Sequence, residues 1–145
     1  MTKSTQHAPD KIEYIGIDKL FLDGQNPRLG RARVKKGLSQ GEVLEIMKDW
    51  TLEELGTSFC ESGFWPQEAL IAVREKVGKS EALVVVEGNR RLAALKMIGQ
   101  ASIGDGASMS WIELIQGVPG TRLKALRERI PYILMPDRDS VKSYL

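Results

Sequence analysis

Two adjacent arginines, Arg90 and Arg91, stand where an apolar run gives way to a helical pattern, in Val84-Val85-Val86-Glu87-Gly88-Asn89-Arg90-Arg91-Leu92-Ala93-Ala94-Leu95. The β-branched residues before them predict a buried strand, and the leucines and alanines after them predict a helix. Gly88 permits a close backbone approach, and Asn89 is suited to cap the helix. A helix N-terminus already carries about half a positive charge, so each cation placed there costs roughly 0.3–1 kcal/mol. Two guanidiniums at that point make sense if an anion, phosphate above all, sits where free amides, helix dipole and both side chains converge. The plainer alternative is that both arginines reach into water or pair with Glu87 and other carboxylates. Leu92, Ala93, Leu95 and Met97 are then ordinary core residues.

Glu68 and Glu87 are the carboxylates nearest this turn, weak candidates to hold Mg²⁺ beside a phosphate or to act as a base. Their commoner role would be as exposed carboxylates neutralised by a neighbouring arginine. Gly78-Lys79-Ser80 has the ending of a phosphate-binding P-loop, but the glycine that motif requires upstream is Val73 here. The flanking apolar runs make it a hairpin turn instead. His7 is the only histidine and Cys60 the only cysteine. Neither an internal disulfide nor a Cys/His zinc site can be assembled from them, and a Ser-His-Asp triad has little basis. Cys60 falls on an expected helix and reads as core.

The elements that must position the arginines are short. Residues 1–11 read as a flexible leader and residues 12–145 as one domain. The 145 residues are 42% hydrophobic and 28% charged, ordinary for a globular chain and against wholesale disorder. No uninterrupted apolar run exceeds the five residues of 82–86, and the leader has no apolar core, so neither a membrane span nor a signal peptide is expected. The expected compartment is the cytoplasm. Twenty-one basic against nineteen acidic residues give a net charge of +2, too balanced to argue for nucleic acid alone.

Along the chain, Tyr14-Ile15-Gly16-Ile17-Asp18-Lys19-Leu20 predicts a short strand, ended by turn residues 23–27. The basic stretch at 28–36 has no period and reads as a loop. Ser39 with Glu42, and Thr51 with Glu54, spell two capping boxes, with Gly63 and Pro66 stopping the second helix. Residues 69–73 and 82–86 predict a hairpin, and residues 90–98 a helix ended by Gly99. Residues 101–110 are Gly/Ser-rich, and 111–115 form an apolar piece of undecided type. A basic helix at 121–129, a strand at 130–135 and a helix from Asp139 complete the chain. The mixture without a regular βαβ repeat predicts α+β.

Taken in order, these pieces resemble the ParB N-terminal domain of the ParB/sulfiredoxin superfamily. Residues 87–95 resemble its Gly-Glu-Arg-Arg box. Ile17-Asp18-Lys19-Leu20 with Asn26-Pro27-Arg28 resembles the opening strand and Asn-Pro…Arg box. Leu52-Glu53-Glu54-Leu55 and Gly63-Phe64-Trp65-Pro66 resemble the family's helix and Gly…Pro turn, and Ile130-Pro131-Tyr132-Ile133-Leu134 resembles the strand after the arginine box. The resemblance implies a mixed sheet flanked by helices and a nucleotide pocket for a nucleoside triphosphate, CTP or ATP, with Mg²⁺. By position, Gly88, Asn89, Arg90 and Arg91 would hold the phosphates, flanked by Arg28, Gly63 and Pro66. Asn89 stands where ParB has glutamate, the reactive cysteine of sulfiredoxins is missing, and the segment of ParB beyond the last strand has no convincing equivalent. The chain is therefore expected to be the N-terminal part of a longer protein.

The leading expectation is a nucleotide-binding domain acting as a switch, a slow NTPase or a phosphotransferase. A DNA-binding or nuclease module is the alternative, with Arg31, Arg33, Lys35 and Lys36 of the basic loop 28–36 meeting phosphates. Arg122, Lys124, Arg127 and Arg129 form a second basic stretch, but Tyr14, Phe21, Phe64 and Trp65 are not interleaved with arginines as a base-stacking platform requires. A third class is a non-catalytic protein-interaction domain or homodimer.

Overall fold

The computed structural model describes residues 11–104 and 106–144. Most of the expected leader, with His7, lies outside the described residues. Five strands form one sheet: β1 (Ile12–Ile15), β2 (Leu20–Phe21), β3 (Leu70–Val77), β4 (Ser80–Glu87) and β5 (Ile130–Leu134), in the order β1-β5-β3-β4-β2. The β1–β5 and β3–β4 pairs are antiparallel, whereas β5–β3 and β4–β2 are parallel. Seven α-helices lie among the described residues: α1 (Arg31–Lys36), α2 (Gln40–Met47), α3 (Leu52–Ser62), α4 (Asn89–Ile103), α5 (Met109–Ile115), α6 (Gly120–Glu128) and α7 (Arg138–Tyr144). The architecture is α+β, a mixed sheet flanked by helices. No helix among the described residues is long and apolar enough to cross a membrane.

Period-two alternation explains the layers. Leu70 and Ala72 of β3, Leu83 and Val85 of β4, and Ile130 and Tyr132 of β5 face the main core with Leu92, Leu95 and Ile98 of α4. Ile71, Val73 and Ile133 point the other way, into a smaller cluster closed by Met135 and by Val141 of α7. Pairing directions put the starts of β3 and β5 and the ends of β1, β2 and β4 at one end of the sheet. That end carries the Gly88 turn.

Several sequence expectations change. The strand expected at 14–20 is split: β1 and β2 lie at opposite edges, and the 3₁₀ turn Ile17–Lys19 joins them beneath α4 and α6. The stretch 28–36 is not a loop. Asn26 accepts the Arg28 amide at 2.9 Å and opens a 3₁₀ turn at Pro27–Leu29, then Gly30 leads into α1. The Ser39–Glu42 capping box forms, but the one expected at Thr51 does not. Thr51 sits at φ 58°, in the left-handed region, and its hydroxyl caps nothing. Likewise Asn89 is the first helical residue and the N-cap is Gly88, which has no side chain to offer. Helix α4 runs through Gly99 to Ile103, because packing on the core outweighs the weak helix propensity of one glycine. Residues 109–115 are helical, with Trp111 buried.

Candidate functional site

A cleft of about 480 Å³ opens at the end of β4, lined by Asp23, Arg28, Trp50, Glu87, Gly88, Asn89, Arg90 and Arg91 among others. Its floor is the turn from β4 into α4. Gly88 adopts φ +103°, and a Cβ there would stand 2.6 Å from Leu70 Cδ2 and 2.9 Å from Arg91 Nη2. Only glycine fits. The first intrahelical bond runs from the Leu92 amide to the Gly88 carbonyl at 2.9 Å, and no side chain caps the amides before it.

Asn89 faces inwards. Its Oδ1 accepts the Asp23 amide at 2.8 Å and its Nδ2 donates to the Val85 carbonyl at 2.7 Å. Asp23 and Asn89 are both buried polar residues, and this bond ties the exit of β2 to the turn. The Asp23 carboxylate accepts the Gln25 amide at 2.9 Å and receives both terminal nitrogens of Arg138, at 2.8 and 3.0 Å. Arg138 also grips Glu75, with Nε donating to Oε2 at 2.5 Å and Nη2 to Oε1 at 2.8 Å. The Arg138 bonds hold the Glu75 carboxyl below its ordinary range, against a smaller opposing effect of burial.

The two arginines are held by backbone carbonyls. Arg90 donates from Nε to Trp50 O at 2.5 Å and from Nη2 to Thr51 O at 2.9 Å. Arg91 donates from Nη1 to Glu68 O. Across the cleft, the Arg28 guanidinium lies over the Trp50 ring, 4.3 Å from its centroid. Among the described residues none of Arg28, Arg90 and Arg91 has a carboxylate within salt-bridge distance. A guanidinium has five N–H donors, so Arg90 and Arg91 each retain donors for an anion.

Of the residues that the sequence singled out, Arg28, Glu87, Gly88, Asn89, Arg90 and Arg91 are thus brought together. Gly63 lines a separate hollow beside α6, and Pro66 and Glu68 do not line the cleft. Glu68 reaches it only through its carbonyl. Asn89 spends its carboxamide on the fold. Arg31, Arg33, Lys35 and Lys36 are exposed on α1, with Arg31 and Lys35 beside a different hollow. Cys60 is buried in α3, and burial pushes its thiol above the ordinary range, away from nucleophilic use.

Sequence reasoning missed Trp50, Asp23 and Arg138. Trp50 reads in sequence as the next apolar step of α2, and Asp23 as a turn residue. A Trp-Thr pair between two expected helices is the available clue to the first, while nothing local marks Arg138 as the partner of Asp23.

A divalent cation bound with a phosphate would find Glu87 as the cleft carboxylate outside any ion pair among the described residues, since Asp23 is taken by Arg138. One carboxylate plus substrate phosphates is a workable Mg²⁺ set. Comparison with protein-family models, curated proteins and solved structures finds no match to this chain.

Proposed function

We propose that this chain is a ParB/sulfiredoxin-like domain that binds a nucleoside triphosphate in the cleft at Gly88, as a switch or a slow NTPase. The observation that carries the reading is the collection of three arginines, none with a carboxylate partner among the described residues, around an uncapped helix start in a cleft of about 480 Å³. Ligand cavities typically occupy about 300–1,000 Å³. Phosphates would lie over the amides that open α4 and meet the remaining donors of Arg90 and Arg91. The Trp50–Arg28 stack gives the cleft a flat wall suited to a base or ribose. Mg²⁺ would be held by Glu87 with the phosphates.

The test is calorimetric titration with ATP, CTP, GTP and UTP in Mg²⁺. At least one should bind, and R90A/R91A should lose that binding while keeping a wild-type far-UV spectrum. Because both arginines also anchor backbone, Arg28→Ala serves as a second variant: it is exposed and should weaken binding without altering the melting temperature. No heat with any of the four nucleotides removes the proposal.

A second reading, nucleic-acid binding through α1, rests on four exposed cations and no acid in its six residues. Duplex DNA affinity that falls steeply with salt, and falls further in R33Q/K35Q, would favour it.

A further inference from the structure

The basic stretch at 122–129 and the aromatics at 14 and 64–65 are scattered in sequence, yet folding interleaves them. Arg129 closes α6 and lays its guanidinium over the Tyr14 ring on β1, 4.1 Å from the centroid. Arg129 and Trp65 line one hollow of about 230 Å³ together with Gly63, Phe64 and Arg122. This hollow is at the same end of the sheet as the nucleotide cleft, but its residues are different.

The rings are unusual for their exposure. Trp65 is 56% and Tyr14 42% exposed, whereas Phe64 packs on Phe59 with ring centroids 5.0 Å apart. The cations beside them are positioned. Arg122 donates from Nη1 to Cys60 O at 3.0 Å and Glu61 O at 2.8 Å, which fixes it against the end of α3. Neither Arg122 nor Arg129 has a carboxylate within salt-bridge distance among the described residues, and Lys124 is exposed on the same helix. Of the acids in the adjoining segments, Glu128 is paired with Arg127 at 3.5 Å and Glu13 accepts from the Tyr132 hydroxyl at 2.9 Å, while Glu61 follows Cys60 in α3.

We propose that this hollow and the Tyr14–Arg129 pair beside it bind single-stranded nucleic acid, with bases stacked on Trp65 and on the Tyr14–Arg129 pair and phosphates met by Arg122. A planar guanidinium already stacked on a ring presents its outer face to a further planar group, as base-stacking surfaces require. Duplex phosphates need only the cations, and the exposed rings would then have no role. Unpaired bases use both. An acidic peptide would use the charges and leave the flat faces without partners.

The experiment is anisotropy titration of a labelled oligothymidylate and of a matched duplex, at low and at physiological salt. Wild type, Trp65→Ala, Arg129→Gln and the α1 variant R33Q/K35Q are compared. The oligothymidylate should bind better than the duplex, roughly tenfold more weakly in Trp65→Ala, more weakly in Arg129→Gln, and unchanged in R33Q/K35Q. Unchanged melting temperatures of the first two variants, both at exposed side chains, would separate loss of contact from loss of fold. Absence of binding at low salt overturns the proposal. So does binding that ignores Trp65→Ala and Arg129→Gln, or that polyglutamate displaces equally from wild type and Trp65→Ala, since either means charge attraction without stacking.

Discussion

Asn89 and Gly88 show how a two-residue turn can serve the fold and the cleft at once. In Asn89→Ala the Asp23 amide and the Val85 carbonyl, both buried, lose their partner. An unsatisfied buried group costs about 1–3 kcal/mol, so urea unfolding should show a loss of about 2–3 kcal/mol. Gly88→Ala would force a left-handed residue against Leu70 and Arg91. It should lower stability by roughly 1–3 kcal/mol and weaken the proposed nucleotide binding more than Asn89→Ala does, because the added Cβ crowds the Arg91 guanidinium. The Gly88 turn and arginine pair were legible in the sequence because they are contiguous. The inward turn of Asn89 was not, because its partner Asp23 is remote in the chain and side-chain direction depends on that contact.

At the scale of elements, junctions and close contacts decide what the sequence pattern leaves open. Thr51, β-branched and at φ 58°, joins α2 to α3, and Arg90 holds its carbonyl. Thr51→Gly should stabilise the chain by about 1 kcal/mol in thermal melts, by removing a side chain from a conformation that disfavours it. Gly56 of α3 faces the buried Trp111 of α5, where an added Cβ would come within 2.6 Å of ring atom Cζ3. Gly56→Ala should therefore cost about 1–3 kcal/mol by overpacking. Lys96 of α4 donates to Ile17 O at 3.1 Å, and burial, partly offset by Asp18, lowers its amine from 10.5 to about 8. Between those values the unfolded chain keeps a proton that the folded chain has released, so stability should rise with pH across that window. Lys96→Met should remove the rise, as measured by urea midpoints at several pH values. Helices α2, α3 and α4 were recognisable from apolar spacing and turn residues, whereas α1 read as a loop and α5 as an undecided apolar piece, and the junctions depend on φ values and contacts that no local pattern encodes.

For the whole molecule, Arg138 fastens α7 to both Asp23 and Glu75 and so joins the far face of the sheet to the wall of the cleft. Arg138→Ala should cost about 2 kcal/mol, moderated by the 30% exposure of the side chain. The lowered Glu75 carboxyl contributes stability above its ordinary 4.5, and that contribution fades as pH falls through the lower folded value. The acid limb of a stability–pH curve should be shallower in the variant. The α+β class was readable from the mixture of periods, whereas strand order was not. It depends on β1 and β2, a few residues apart, pairing at opposite edges. Those outermost strands are four and two residues long. A foreign strand seeking to zip onto either rim would gain only a few rungs, and the length of hairpin that β2 and β5 leave uncovered carries Arg74, Glu75, Lys76, Lys79 and Glu81, charges that oppose fibril-like growth.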